Sequence, residues 1–148
     1  MSNQARTLVE KTLTANDVAD TGSHQSGVLI PKRSEILDIM PSLNKNEKNP
    51  RSSVIAFDED GRSWHLNFIY YNNSAFGGTR DEYRLTCIKS YLRARCAHMG
   101  DVLQIERIED GVYRIRLQPL STFTDKEPAA AGNIVRLELT NAWRLVQW

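Results

Sequence analysis

Cysteine is scarce: Cys87 and Cys96 are the only two in 148 residues. Two thiols make no disulfide framework. With His98 they offer three soft ligands, where a structural zinc site takes four. The sequence therefore implies no metal and no cofactor, and reduced cysteines fit a cytoplasmic protein. Long hydrophobic runs are missing as well. Val28-Leu29-Ile30 is typical of the longest, far short of the roughly 20 residues that a membrane helix needs. The opening MSNQARTLVEKTL lacks the apolar stretch of a secretory signal, so a membrane is not an expected partner. Neither charge dominates: 19 basic residues face 18 acidic ones, for a net +1. Such a balance argues against indiscriminate coating of nucleic acid, while leaving room for a local basic face. No repeat and no low-complexity tract interrupts the chain.

What is present reads as one compact domain over residues 1–148, 41% hydrophobic and 25% charged. Strand signals dominate. Arg6 to Leu13 alternates loosely, and Gly27 to Ile30 is a short branched run ended by Pro31. The sequence PKRSEILDIM predicts a short amphipathic helix burying Ile36, Leu37 and Met40. Ser53 to Phe57 and Trp64 to Tyr71 flank Asp60-Gly61, and Val102 to Ile108 and Val112 to Leu117 flank Asp110-Gly111; both dipeptides are hairpin signals. Ile88 to His98 has helical spacing, with Leu92 and Cys96 on one side. Pro41 to Pro50 and Pro119 to Gly132 read as loops, and Ile134 to Leu139 and Trp143 to Val146 as closing strands. The expected fold is mainly β with two short helices (α+β), a barrel or sandwich of seven or eight strands.

Charge is distributed unevenly. Between Phe76 and His98 lie Arg80, Arg84, Lys89, Arg93 and Arg95 against only Asp81 and Glu82. That excess fits a face for phosphate or an ordinary solvated helix. Within FGGTRDEYR, the alternation of a strand places Arg80, Glu82 and Arg84 on one side and Tyr83 on the other. Three charges suit a core poorly. They suit either an exposed, internally paired strand or the major groove, where arginine donates twice to guanine and glutamate accepts from cytosine. A second segment, LTANDVADTGSHQSGVLIP, is dense in short hydrogen-bonding side chains and ends on His24 and Gln25. It fits an Asx-rich turn between strands or a polar arm, with Lys11 in the preceding strand able to add a phosphate contact.

Taken together, these two segments resemble a known family. NDVADTGSHQSGVLIP resembles the NDTG-x-TGGHQ-x-G-x-x-IP stretch of the N-terminal effector-binding domain of EcoRII-type restriction endonucleases. IYYNNSAFGGTRDEYRLT is similar to the family's YYN…FG-x-TR-x-E-x-R-x-T stretch. The DNA-recognition domains of BfiI-type enzymes are similar too, and all share the DNA-binding pseudobarrel, of about seven strands, found in the plant B-three transcription-factor domains. The likeness is good from Lys11 to Thr86 and rests on strand pattern beyond Cys87. It implies a wrench-like grip on double-stranded DNA, two arms entering the major groove to read a short G·C-containing site. Carried over, the base-reading residues are Arg80, Glu82 and Arg84 from one arm and Asn16 and His24 from the other. Lys11, Thr79, Asp81, Tyr83, Lys89, Arg93 and Arg95 are then phosphate or supporting contacts. Gly78, Tyr83 and Leu29 depart from the family's arms, which have lysines at the first two positions and a tyrosine at the third, so the target site does not transfer.

Enzymes of this family carry a separate nuclease domain. A metal-dependent nuclease of the common restriction type wants an Asp followed by Glu-x-Lys, and no Glu-x-Lys occurs here. The phospholipase-type alternative needs His-x-Lys, but His24, His65 and His98 are followed two residues on by Ser26, Asn67 and Gly100. The expectation is thus a non-catalytic specificity or effector module of a restriction endonuclease, or a small stand-alone relative. Two competing readings remain. A metal-free ribonuclease could use a pair of these histidines. A barrel binding single strands or RNA would stack bases on aromatics, which are 8% of the chain.

Overall fold

The computed structural model describes residues 6–18, 27–120, 135–140 and 142–148. Nine strands are found among them: β1 (Thr7–Thr12), β2 (Val28–Ile30), β3 (Arg51–Phe57), β4 (Ser63–Tyr71), β5 (Glu82–Thr86), β6 (Val102–Glu109), β7 (Val112–Gln118), β8 (Val135–Thr140) and β9 (Trp143–Gln147). Two short helices join them, α1 (Ser34–Leu37) and α2 (Lys89–Ala94). The strands form one sheet in the order β2-β5-β4-β3-β7-β6-β1-β9-β8, curled into a half-barrel. The pseudobarrel class is therefore correct. The strand beyond the eight legible by pattern is β5, inside the charged FGGTRDEYR segment.

Neighbouring strands are antiparallel except β3 and β7, whose parallel register pairs Ile55 with Val112 and Phe57 with Arg114. Alternation decides which face meets the core. Val54 and Ala56 of β3, Leu66 and Phe68 of β4, Tyr83 and Leu85 of β5, and Leu103 and Ile105 of β6 all point inward and are buried. Ile36 from α1 and Tyr91 and Leu92 from α2 join the same core. Burying each such large side chain stabilises the fold by roughly 1.5–3 kcal/mol.

Both Asp-Gly turns occur where expected. Gly61 and Gly111 have φ of +78° and +76°, a region in which a side chain would be strained. Asp58 locks the first turn, its Oδ1 accepting from the Asp60 and Arg62 amides at 2.9 and 3.0 Å. The second predicted helix is shorter than its spacing suggested. Cys96 adopts φ +52°, and the Ala97 amide turns back to the Leu92 carbonyl at 2.9 Å. That closes the helix in a left-handed cap without a glycine, and it leaves Cys96 exposed. Most of the Pro119 to Gly132 loop lies outside the described residues. Among those described, no helix is long and apolar enough to cross a membrane, and no cluster of three or more His, Cys, Asp or Glu could hold a metal.

Candidate nucleic-acid interface

Two connections converge at one edge of the sheet. The β1–β2 connection forms a first arm, of which residues 13–18 and 27 are described. The segment from Asn72 to β5 forms a second. They meet because β2 pairs with β5, Leu29 opposite Arg84 and Ile30 opposite Tyr83. Gly27 permits this contact. Its φ is +75°, and a Cβ there would sit 2.2 Å from the Leu85 carbonyl oxygen.

The second arm is built from a buried amide. Asn72 Oδ1 accepts from the Asn49 amide at 2.7 Å, and its Nδ2 donates to the Glu47 carbonyl at 2.7 Å. This ties the end of β4 to the loop before β3. A turn of 3₁₀ helix follows over Asn73–Phe76 and ends in Gly77, at φ +90°. The Gly78 amide then donates to the Asn73 carbonyl at 2.7 Å, and the Ser74 amide to the Arg80 carbonyl at 2.9 Å. Those bonds fold the chain back so that Thr79 and Arg80 enter β5 from an exposed tip.

At that tip the expected charged trio is assembled on one side. Glu82 Oε1 lies 2.7 Å from Arg80 Nε and 3.4 Å from Arg84 Nε. Burial opposes ionisation of Glu82, but the two guanidiniums outweigh it and hold its carboxyl below the usual range. Arg80 is also fixed by a ring, its Cζ lying 3.7 Å from the centre of Tyr71. Side-chain exposure falls steadily along the trio: 41% for Arg80, 25% for Glu82 and 7% for Arg84. Arg80 precedes the strand and reaches solvent. Arg84 lies in a strand paired on both sides, opposite Leu29 of β2 and Ile69 of β4.

Arg84 therefore departs from the expectation of direct base reading: in this conformation it stands behind Glu82. Tyr83 departs too. Expected as a supporting DNA contact, it is sandwiched in the core, with ring centroids 5.5 Å from Phe68 and 4.2 Å from Tyr70. Tyr70 in turn donates to Asp81 Oδ1 at 2.6 Å, and that bond pushes the phenol up to about 12. Asp81 is paired with Lys32 at 2.5 Å, which holds its carboxyl down. Asp81 thus joins the second arm to the start of α1 rather than contacting a phosphate by itself.

Lys11 and Arg95 are also turned away from the expected role. Lys11 is in phase with Val9 and Leu13, and its side chain is only 7% exposed. Its Nζ lies 2.7 Å from Asp17 Oδ2. The same Asp17 oxygen accepts from the Thr14 amide at 2.9 Å, so this pair fixes the root of the first arm. Arg95 is held by the acidic β3–β4 turn, its Nη2 at 3.1, 3.4 and 2.8 Å from Asp58, Glu59 and Asp60. Three carboxylates around Nη2 outweigh its charge, which removes most of its attraction for phosphate.

Lys89 and Arg93 lie one helical turn apart on α2 and line a shallow pocket with Asp17 and Val18, beside the root of the first arm. Asn16 and Thr79 are exposed on the two arms. His24 lies outside the described residues. The sequence reading missed Asn72 and Lys32; Leu29, noted as a departure from the family's tyrosine, is an exposed apolar side chain next to Arg84 in the β2–β5 pairing. A polar Asn just after a strand end is the signal that could have marked Asn72.

With this geometry in hand, likeness to known proteins is informative. The family described as restriction endonuclease EcoRII, N-terminal, matches residues 2–92. The type II restriction enzyme EcoRII of Escherichia coli is 41% identical over 80 residues, which cover 51% of this chain and 19% of that enzyme. Auxin response factor 12 of Arabidopsis thaliana is 28% identical over 117 residues, 78% of this chain and 18% of that protein. The chain thus spans about a fifth of each of these relatives. Among solved structures, the Arabidopsis FUS3–DNA complex superposes with a TM-score of 0.56 at 20% identity, covering 74% of this chain and 94% of that one; this likeness speaks to the fold. The motifs of both arms fall within the matched residues, and the chain belongs to the EcoRII restriction endonuclease N-terminal domain family.

Proposed function

We propose that this chain is a sequence-specific recognition module for double-stranded DNA, serving as the specificity or effector-binding part of a restriction endonuclease and acting through the major groove. The observation that carries the reading is the trio at the tip of the second arm. Arg80 is exposed, pre-oriented by Tyr71 and by Glu82, and Glu82 is kept ionised by the two arginines. A fixed guanidinium suits guanine O6 and N7, and an ionised carboxylate suits cytosine N4. Arg84 steadies Glu82 from behind, and Asn16 and His24 complete the reading from the first arm. Lys89 and Arg93, with Thr79, position the domain on phosphates. Membership of the EcoRII N-terminal family and the fold shared with a plant protein solved on DNA support the same conclusion.

The module folds as one domain over residues 1–148 and does no chemistry of its own; cleavage belongs to a nuclease domain of the parent chain. Several of its rings are engaged internally: Phe68 and Tyr83 stack on each other, Trp143 is buried and Tyr71 lies under Arg80, while the exposed Phe57 and Phe76 lie on separate elements. That disfavours a stacking platform for single strands.

The test is selection of bound duplexes from a random library at about 0.15 M salt, which suppresses purely electrostatic binding. A short G·C-containing consensus is expected. Arg80→Ala should relax it and cost at least about 1 kcal/mol at the preferred site. Equal weakening toward all sequences would make Arg80 a phosphate contact. RNA or single strands bound as tightly as duplex would overturn the reading altogether.

A further inference from the structure

On the other half of the sheet, the outward faces of β7, β6, β1, β9 and β8 carry a second concentration of arginine. Strand register lines the residues up across the sheet. Arg116, Gln104, Glu10, Arg144 and Glu138 fall on one row, and Arg114, Glu106, Leu8, Val146 and Arg136 on the next. Three carboxylates sit in this field: Glu138, exposed on β8 opposite Arg144, and Glu106 and Glu10, each of which takes two arginines. Glu106 accepts from Arg6 at 2.7 and 2.9 Å and from Arg114 at 3.3 Å. Glu10, fully buried, accepts from Arg136 at 3.0 Å, Arg144 at 2.8 Å and Gln104 at 2.9 Å. Burial opposes its ionisation, yet those donors hold its carboxyl below the usual range.

Glu10 and Glu106 are therefore satisfied twice over before Arg116 is considered. Arg116 lines the same hollow and has no hydrogen-bond or ion-pair partner among the described residues. The hollow, about 180 Å³, is lined by Arg6, Arg114, Arg116 and Arg136 against the single carboxylate of Glu106, three positive charges in excess. Trp148 forms part of its wall, with Arg6 stacked on the ring 4.6 Å from its centre. A concave site with one sign of charge concentrates the opposite ion. Guanidinium forks match phosphoryl oxygens in pairs. Five arginines against Glu10, Glu106 and Glu138 are more than neutralising the face requires.

We propose that this hollow is a binding site for a diphosphate group, separate from the DNA-reading arms. Arg116 and Arg114 hold one phosphoryl unit, Arg136 and Arg6 the other, and Glu10 and Glu106 keep those side chains splayed. No residue is shared with the arms, and β4 and β3 lie between β5 and β7 in the sheet. The diphosphate is either free or part of a nucleotide, in which case Trp148 offers a ring for the base.

Isothermal titration of the intact chain with pyrophosphate, and in parallel with ADP, tests the site. One saturable site is expected, at least about tenfold weaker in Arg116→Gln, the size of a lost charge-assisted contact. Among the described residues Arg116→Gln removes no hydrogen bond or ion pair, so its far-ultraviolet circular dichroism and urea midpoint should match the parent's. ADP binding equal to pyrophosphate assigns the diphosphate alone; tighter ADP binding that Trp148→Leu reduces assigns a nucleotide; either supports the site. No saturation at millimolar pyrophosphate, an unchanged affinity in Arg116→Gln, or succinate binding as tightly as pyrophosphate would overturn it. Displacement of pyrophosphate by a mixed-sequence duplex would overturn the separation from the DNA interface, without bearing on the reading by Arg80.

Discussion

Replacing Lys11 by methionine separates two roles that its position in the chain leaves open. In the structure the side chain is inside, 2.7 Å from Asp17 Oδ2, with the partner side chains 7% and 6% exposed. Methionine keeps most of the packing of the stem and removes the charge. Breaking a buried pair by deleting one partner costs about 3–5 kcal/mol, because the other charge stays buried without compensation. Asp17 retains the Thr14 amide at 2.9 Å, which places the cost near the lower end, about 3 kcal/mol. With a urea slope of about 2 kcal/mol/M, the midpoint should fall by about 1.5 M. Combining Lys11→Met with Asp17→Leu should recover part of the loss, since an apolar pair of similar volume is often neutral. Loosening the Thr14–Asp17 turn should also weaken binding of the selected duplex, with no change in salt dependence. The reasoning is refuted if Lys11→Met unfolds at the parent's midpoint while the log–log salt slope of duplex binding falls by about 0.9. That pattern belongs to a lysine on a phosphate.

Further outcomes follow from other close contacts. Asp58 carries Trp64 Nε1 at 3.0 Å, the amides of Asp60 and Arg62, and Arg95. Burial works against its charge, but these donors pull the carboxyl from 3.8 to about 2. A depressed folded value stabilises above the unfolded one and is lost as pH falls, so the difference between parent and Asp58→Asn should be full above about pH 4 and shrink toward about pH 2. Urea melts across that range check it, and a difference that grows on acidification would sink the assignment. Gly27→Ala should cost at least about 3 kcal/mol, from the positive φ and the collision with the Leu85 carbonyl. Thermal melts would show it, and a variant as stable as the parent would mean the two arms are not joined there.

Much of the fold was legible because its punctuation is local. Asp60-Gly61 and Asp110-Gly111 turn where turn chemistry demands, and alternation named the inward faces of the flanking strands. The Arg80, Glu82, Arg84 side was legible by the same two-residue period. That period also held signals the reading did not use. Lys11 is in phase with Val9 and Leu13, and Tyr83 with Leu85, so alternation alone points both inward. Other features had no local signal. The end of α2 depends on Cys96 adopting a left-handed conformation that nothing near it announces. Arg95 is claimed by a turn some 35 residues earlier in the chain. The arginines of the outer face come from β7, β8 and β9 and from the chain just before β1, so no window of sequence shows their excess.

Under the proposed function, these placements explain how a nearly neutral chain would read DNA. Arg95 is absorbed by Asp58, Glu59 and Asp60, Lys11 by Asp17, and Lys32 by Asp81. Within the basic segment that stood out in the sequence, Arg95 is thus balanced and Arg80 and Arg84 share Glu82; in the proposed function Lys89 and Arg93 meet phosphates beside the arms. Each neutralised phosphate adds about 0.9 to the salt slope, so few contacts mean a shallow slope and little non-specific affinity. Discrimination must then come from geometry. The fold supplies it twice: Asn72 and the Gly77-Gly78 turn aim the tip, and Tyr71 and Glu82 hold Arg80 before any base arrives. A guanidinium already in place loses less rotamer freedom on binding than a free one. Holding Arg80 and Glu82 to each other has a corresponding cost, because their mutual 2.7 Å contact must be exchanged for contacts to the base edges. Only a base pair that satisfies both groups compensates that exchange. Mismatched pairs leave one of them desolvated and unpaired, at about 1–3 kcal/mol, and so the internal salt bridge sharpens the choice of sequence.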